Sequence, residues 1–245
     1  MCVPASISFC HLEDRLKKLG PFALLAIFAA GCAGAIVRPT VNDAIRKALP
    51  NYIGPAKNYD VKTSGSATEM LGGKLDRLII EGEDVQVDPN LTISKLFVEL
   101  KDVRVDTKTR AMKHVGSTAI RATISEAAVN KYIAVSRGSS NLTVRIEPDK
   151  INVAFTPTVA GVGVPLNVTG TLSITGGDKV NFEADEASVG RLPVSAYVVN
   201  KGLSMVNPVI DLSTMKFPVT IERIALKKGK AEVSGSAKFS PGMGK

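Results

Sequence analysis

Three observations in this 245-residue chain predict an α+β fold, with strands gathered in blocks and a helix closing each block. Apolar and polar residues alternate along much of the chain, the period-two pattern of half-buried strands. Two windows, Ser125 to Ile133 and Pro193 to Val206, switch to helical spacing. Trp is absent and aromatics are only 5%, so a core has to be built from Val, Ile, Leu and Ala. Runs of strands followed by helices favour α+β over a parallel sheet with regular crossovers.

The first element is a leader. Arg15, Lys17 and Lys18 precede an uncharged run from Gly20 to Val37, whose most apolar part, Phe22 to Ala30, falls in the ~7–15-residue range of a signal peptide. Ala29-Ala30-Gly31-Cys32 resembles the bacterial lipobox, in which a cysteine after small residues is acylated, palmitate being a chain expected there, and becomes the new N-terminus. Ala29 stands where that pattern usually has leucine. The expected division is a lipoprotein-type signal peptide over 1–31, an anchor linker over 32–50 and one domain over 51–240, with Cys32 the lipidation site. An uncleaved transmembrane anchor is the alternative, because Gly20 to Val37 sits at the short edge of the ~17–25 residues a span needs. Gly31, Gly34 and the neighbouring alanines weaken it. Both readings place residues 38–245 outside the cytoplasm, anchored to a membrane of the cell envelope.

Val41 to Leu49 predicts a short helix stopped by Pro50. Beyond it Leu78 and Ile80, Val85 and Val87, then Leu96, Val98 and Leu100, then Val103 and Val105 alternate with charged or amide residues. Gly72-Gly73 and Asp88-Pro89-Asn90 supply turns. Ile120, Ala122 and Ile124 form a further strand, and Ser125 caps a helix through Ile133 that Arg137-Gly138 closes. The second half repeats the plan with Leu142, Val144 and Ile146, then Ile151, Val153 and Phe155, then Leu166 and Val168, then Leu172 and Ile174. A helix from Pro193 to Val206 follows, ended by Asn207-Pro208. Val129-Asn130-Lys131 and Val199-Asn200-Lys201 recur at like places in the two helices, a weak sign of duplication. Val219 and Ile221, Ile224 and Leu226, the Lys227-Lys228-Gly229-Lys230 turn, and Ala231 and Val233 make a closing hairpin.

Catalytic chemistry finds few residues to use. Cys2, Cys10 and Cys32 all lie in or before the leader's end, so the exported part has no disulfide framework. His114 is its sole histidine, read as a solvated loop residue with no acid beside it in sequence. No HExxH, GxSxG, SxxK or CxxC pattern occurs. Gly161-Val162-Gly163-Val164-Pro165 lacks the Lys-Ser/Thr of a phosphate loop and reads as a strand connection. Asp84 and Asp88 fall short of the six or more oxygens calcium takes. No enzyme activity, cofactor or metal is expected.

Charge suggests the partner. The formal net charge of +8 stays positive when residues 1–31 and their few charges are removed. Lys95, Lys101, Arg104, Lys108, Arg110, Lys113 and Arg121 form one basic strip, and the Lys227 to Lys230 turn another. Without interleaved aromatics, single-stranded nucleic acid is disfavoured. An anionic lipid surface suits an exported basic domain better.

The motifs Leu71-Gly72-Gly73-Lys74-Leu75-Asp76-Arg77-Leu78-Ile79-Ile80-Glu81-Gly82, Leu96 to Asp106, Ala122 to Ile133 and Ile210-Asp211-Leu212 together resemble the bacterial LmeA family of phospholipid-binding envelope proteins, over roughly residues 50–238. Ala128 departs from the acid usual at that helix position, leaving the capping box incomplete. The resemblance implies a tubular lipid-binding domain similar to bactericidal/permeability-increasing protein, a curved antiparallel sheet wrapped around one or two helices with an apolar cavity. It implies phospholipid, with anionic headgroups preferred, as the ligand. Leu96, Val98 and Leu100 on one strand and Val129, Tyr132 and Ile133 on the first helix are the expected wall. A structural or adhesive envelope lipoprotein with a filled core is the alternative, and an envelope hydrolase a third that the missing catalytic set disfavours.

Overall fold

A computed structural model describes residues 34–107, 112–136, 142–156, 158–159, 161–195, 199, 207–213 and 218–238. Its elements run α1 (Gly34–Tyr52), β1 (Asn58–Ser64), α2 (Ala67–Leu71), β2 (Lys74–Asp88), β3 (Leu91–Val105), β4 (Met112–Ser125) and α3 (Glu126–Ser136). They continue with β5 (Leu142–Glu147), β6 (Lys150–Phe155), β7 (Thr158–Val159), β8 (Val162–Gly163), β9 (Leu166–Thr175), β10 (Lys179–Val189), β11 (Leu192–Val194), β12 (Ile210–Asp211), β13 (Val219–Lys227) and β14 (Lys230–Ala237).

The antiparallel architecture expected from alternation is present as two main sheets that do not close into a barrel. One has the order β1-β2-β3-β4-β14-β13, the other β11-β10-β9-β6-β5 with β12 beside β10. The closing hairpin therefore pairs with β4, far from it in sequence, and brings the chain's end into the first sheet.

The strand runs expected separately around Leu78 and Val85 are one strand, and so are those around Leu96 and Val103. The inward positions of β2 are Leu75, Leu78, Ile80 and Val85, and those of β3 are Leu96, Leu100 and Val103, so the period of two slips near Asp76 and Asp84 in one strand and near Asp102 in the other. Asp84 and Asp102 adopt positive φ of 50° and 47°, a conformation Asp tolerates better than most side chains. A slip in one strand is matched opposite it in the other, and the apolar faces stay aligned.

Two clusters fill the interior. The first gathers Val37 and Leu49 of α1, Tyr59 and Val61 of β1, Met70 of α2 and the inward residues of β2 and β3. The second joins Val144, Ile146, Ile151, Val168, Phe182, Ala184 and Ala187 of the second sheet to Leu226 and Ala231 of the closing hairpin. The first sheet thus serves both clusters.

Several expectations change. α1 runs through Pro39 and Pro50 instead of stopping at Pro50. Val37, Val41, Ile45 and Leu49, four residues apart, all pack into the first cluster, and Ile53 N–H still reaches Leu49 O at 2.9 Å, so tertiary burial outweighs the lost backbone bonds. The segment expected as a linker therefore contains a helix packed on the first sheet. Pro193 and Val194 are strand residues of β11, not helix, because they pair with Ser188 and Ala187. Ser195 is not helical either, Val199 is, and residues 196–198 and 200–206 of the expected helix lie outside the described residues, as does the Arg137-Gly138 stop. β10 is a strand that alternation did not reveal, since a bulge between Ala184 and Glu186 breaks its period. His114 sits within β4, opposite Arg104, rather than in a loop.

Candidate functional site

The two clusters leave a strip of apolar side chains only half covered. On its first-sheet side stand Val98, Ile120 and Ala122, packed at the margin of the first cluster. Val129 and Ile133 of α3 and Leu142, Val153 and Phe155 of the second sheet pack at the margin of the second. α3 touches β3, β4 and β5, so it lies where these margins meet. Partly buried aliphatic side chains of this kind still have area to remove from water when another apolar body covers them.

Of the six expected wall residues, Leu96 and Leu100 are buried in the first cluster, and Val98 lies between them on the same face at its margin. Val129 and Ile133 belong to the second cluster, and Tyr132 is half-buried beside them. The structure brings each trio onto one element but sorts the two trios into different clusters. Cys32 lies outside the described residues, and among those described no helix is long and apolar enough to cross a membrane.

The opposite face of the first sheet is polar and internally paired. The Arg121 guanidinium lies 4.2 Å from the centre of the Phe97 ring, its partner across β3 and β4. Arg77 pairs with Glu99, and Lys113 with Asp106 at 2.7 Å. His114 Nε2 is 3.3 Å from Asp102 Oδ2, an acid that lies near only because β3 and β4 pair. The Lys227 to Lys230 turn is also committed. Lys227 and Lys230 both reach the Glu232 carboxylate, at 2.6 and 2.8 Å, and hold it down to a pKa of about 2. Gly229 N–H donates to Ile146 O and Gly229 O accepts from Glu126 N–H, so this turn is a joint between the sheets rather than an open mouth.

That joint includes a feature the sequence did not signal. Asn130 Nδ2 donates to Val144 O at 2.7 Å, and its Oδ1 accepts from Val144 N–H at 2.7 Å, so one side-chain amide imitates a neighbouring strand. Glu126 Oε2 accepts from Ile146 N–H at 2.7 Å. With Gly229 on Ile146 O, the outward backbone groups of Val144 and Ile146 on the edge strand β5 are all satisfied without a further strand. Ser125 Oγ caps α3 at Ala128 N–H as expected. Asn207 makes a similar pair of bonds to Phe182 on β10. Nothing in composition or periodicity marks an asparagine for this task.

A cavity of about 420 Å³ opens on the second sheet, lined by Asn167, Thr169, Asp185, Glu186, Ser188 and Arg191 among others. Its wall mixes these groups with Ala187, Pro193 and Val194, and the charges of Asp185, Glu186 and Arg191 on it do not suit an acyl chain. Among the described residues no three His, Cys, Asp or Glu side chains converge to hold a metal.

Two antiparallel sheets joined at a sealed edge, with partly covered aliphatic side chains at the margins of their cores, make a β-rich domain. The chain belongs to the LmeA-like phospholipid-binding family, which it matches over residues 28–236. The family is defined by binding phospholipid rather than by a reaction. No curated protein and no solved structure matches the chain.

Proposed function

We propose that this is an exported, membrane-anchored phospholipid-binding protein of the bacterial cell envelope, which holds acyl chains against the apolar strip in the manner of a tubular lipid-binding domain. The observation that carries the reading is the family match over most of the chain, joined to the half-covered strip of Val98, Ile120, Ala122, Val129 and Ile133. Leu96 and Leu100 back that strip from the core, and Tyr132 borders it. Anionic headgroups fit the net positive charge. Acylation at Cys32 supplies the anchor. Val37, the last residue of the uncharged run, is 6% exposed within the first cluster, which leaves a transmembrane span only the bare minimum of the ~17–25 residues it needs and favours the acyl anchor.

The test is bound phospholipid per folded protein, by native mass spectrometry, for wild type, Val98→Ala, Val98→Glu and Tyr132→Ala, with thermal unfolding beside it. Folded wild-type protein that is lipid-free after gentle purification and takes none from vesicles would sink the reading and leave a structural lipoprotein with a filled core. For the anchor, Cys32→Ser should abolish acylation and release most of the protein from membranes, since stable anchoring takes more than one chain. A variant that stays uncleaved and as membrane-bound as wild type would establish the transmembrane alternative.

A further inference from the structure

The short connection between anchor and core constrains how the domain can sit. Val37 lies five residues on from Cys32, and even a fully extended chain of five steps spans at most about 18 Å. Val37 is buried in the first cluster, and the next residue, Arg38, donates to Gly65 O at 3.0 Å, so the chain is part of the folded domain as soon as it arrives. The tether can therefore bring only one end of the domain to the bilayer.

That end is defined by its neighbours. Gly65 and Ser66 lead into α2, and α1 packs against α2. Here β2 begins, β3 ends and β4 begins, so the β13–β14 turn beside Ser125 lies at the other end of the first sheet. Two features suit this end to lipid. Leu71, the last residue of α2, is 41% exposed although Met70 beside it is buried. Lys74, Arg104 and His114 stand side by side across β2, β3 and β4. Lys74 pairs with Glu69 at 2.8 Å and Arg104 lies 3.6 Å from Asp102 Oδ1, but these pairs are exposed and weak, and a lipid phosphate can take over either cation at little cost.

We propose that this end of the first sheet is the face that rests on the bilayer, with Leu71 among the outermost acyl segments and Lys74 and Arg104 beside anionic headgroups. The proposal rests on the anchored reading above. It places the free end of the second sheet, where Leu192 is 72% exposed, away from the membrane. Leu192 is the competing candidate, because it is the more exposed apolar side chain and lies at the opposite end of the second sheet from the Gly177 and Asp149 turns that hydrogen-bond to β13.

The chain contains no tryptophan, so single tryptophans report without background. Full-length Leu71→Trp and Leu192→Trp proteins would be reconstituted into vesicles of phosphatidylcholine and phosphatidylglycerol with brominated acyl chains. The expected result is loss of most of the fluorescence at position 71 and little loss at 192, with the loss at 71 reduced when Lys74 and Arg104 are both changed to Glu. Lys113→Trp, at an exposed position on the same end, replaces Leu71→Trp if that variant does not fold. Quenching at 192 instead, or at neither position in protein that floats with the vesicles, overturns the orientation while leaving the anchor intact. Wild-type protein that fails to float refutes the anchored reading itself, and the orientation falls with it.

Discussion

Asn130→Ala offers a sharp test of how the two sheets are joined. The substitution removes both bonds to Val144 and the 3.0 Å bond from Asn130 Nδ2 to Glu126 O. Val144 is only 5% exposed, so its N–H and C=O lose partners where water has poor access. Leaving a buried polar group unsatisfied costs ~1–3 kcal/mol. Alanine regains roughly 0.6 kcal/mol of helix propensity, which offsets part of the loss. A net destabilisation of about 2–3 kcal/mol follows, or a fall in melting temperature of about 5–10 °C for a domain near 200 residues. Thermal unfolding by circular dichroism measures the total, and hydrogen exchange at the Val144 amide locates it. Asn130→Asp keeps the acceptor for Val144 N–H but sets a carboxylate against Val144 O, so it should be no better tolerated than alanine. Lys131→Ala, at the exposed neighbouring position, is the control. If Asn130→Ala melts within a degree of Lys131→Ala, or if Val144 exchange is unchanged, the amide is not what seals β5.

Two further outcomes follow from local geometry. The Glu232 carboxyl, depressed by the Lys227 and Lys230 ammonium groups, should titrate by NMR near 2 rather than 4.5; its contribution to stability is present above 4.5 and is lost as pH falls through about 2. Changing both lysines to Met should return the midpoint toward 4.5, and a wild-type midpoint already there would dissolve the pairing. Gly170→Ala should block folding or destabilise severely, because an added Cβ would lie 2.0 Å from Glu183 O across β9 and β10. Gly161→Ala, with φ of +82° but nothing near, should cost only about 1 kcal/mol, and equal melting temperatures for the two variants would contradict the contact.

The sequence carried the antiparallel architecture because one face of most strands is buried and the period of two is then forced by the pleat. Leu96, Val98 and Leu100 share a face for that reason, and Ser125 caps α3 because its hydroxyl meets an orphan N–H whatever the tertiary fold. Other features depend on contacts distant in sequence. Periodicity reads Leu78 and Val85 as two strands, since it registers a break at Asp84 but not the matching slip across the pair. β10 escapes notice because Asp185 occupies a bulge just where Ala184 and Ala187 fall out of phase. Propensity ends α1 at Pro50 because the packing of Leu49 on the first cluster is invisible to it. The candidate strip was half legible. Apolar faces of single elements point to Val98, Val129 and Ile133, whereas Ile120, Ala122, Leu142, Val153 and Phe155 read only as strand residues, and the division between two clusters follows from the pairing of β14 with β4, which joins strands more than a hundred residues apart.

Whether the strip is a lipid surface or the loose margin of a filled core turns on a difference in linkage, and Val98 separates the two. Covering ~400 Å² of apolar surface with acyl chain at ~25 cal/mol/Å² favours capture by about 10 kcal/mol, of which immobilisation takes back several. A ligand held with the remainder raises the stability of the folded state according to its free concentration over its Kd. In a filled core, Val98→Ala leaves a void and lowers the melting temperature by the same amount with and without phospholipid. On a lipid surface Val98 is only partly buried in the empty protein, so its truncation costs less there than in a filled core and its effect grows as phospholipid is added, because the missing methyl groups were in contact with the chain. The dependence of the Val98→Ala shift on phospholipid concentration therefore distinguishes a side chain that supports the fold from one that holds the ligand, even though both explanations place Val98 on the same face of the same strand.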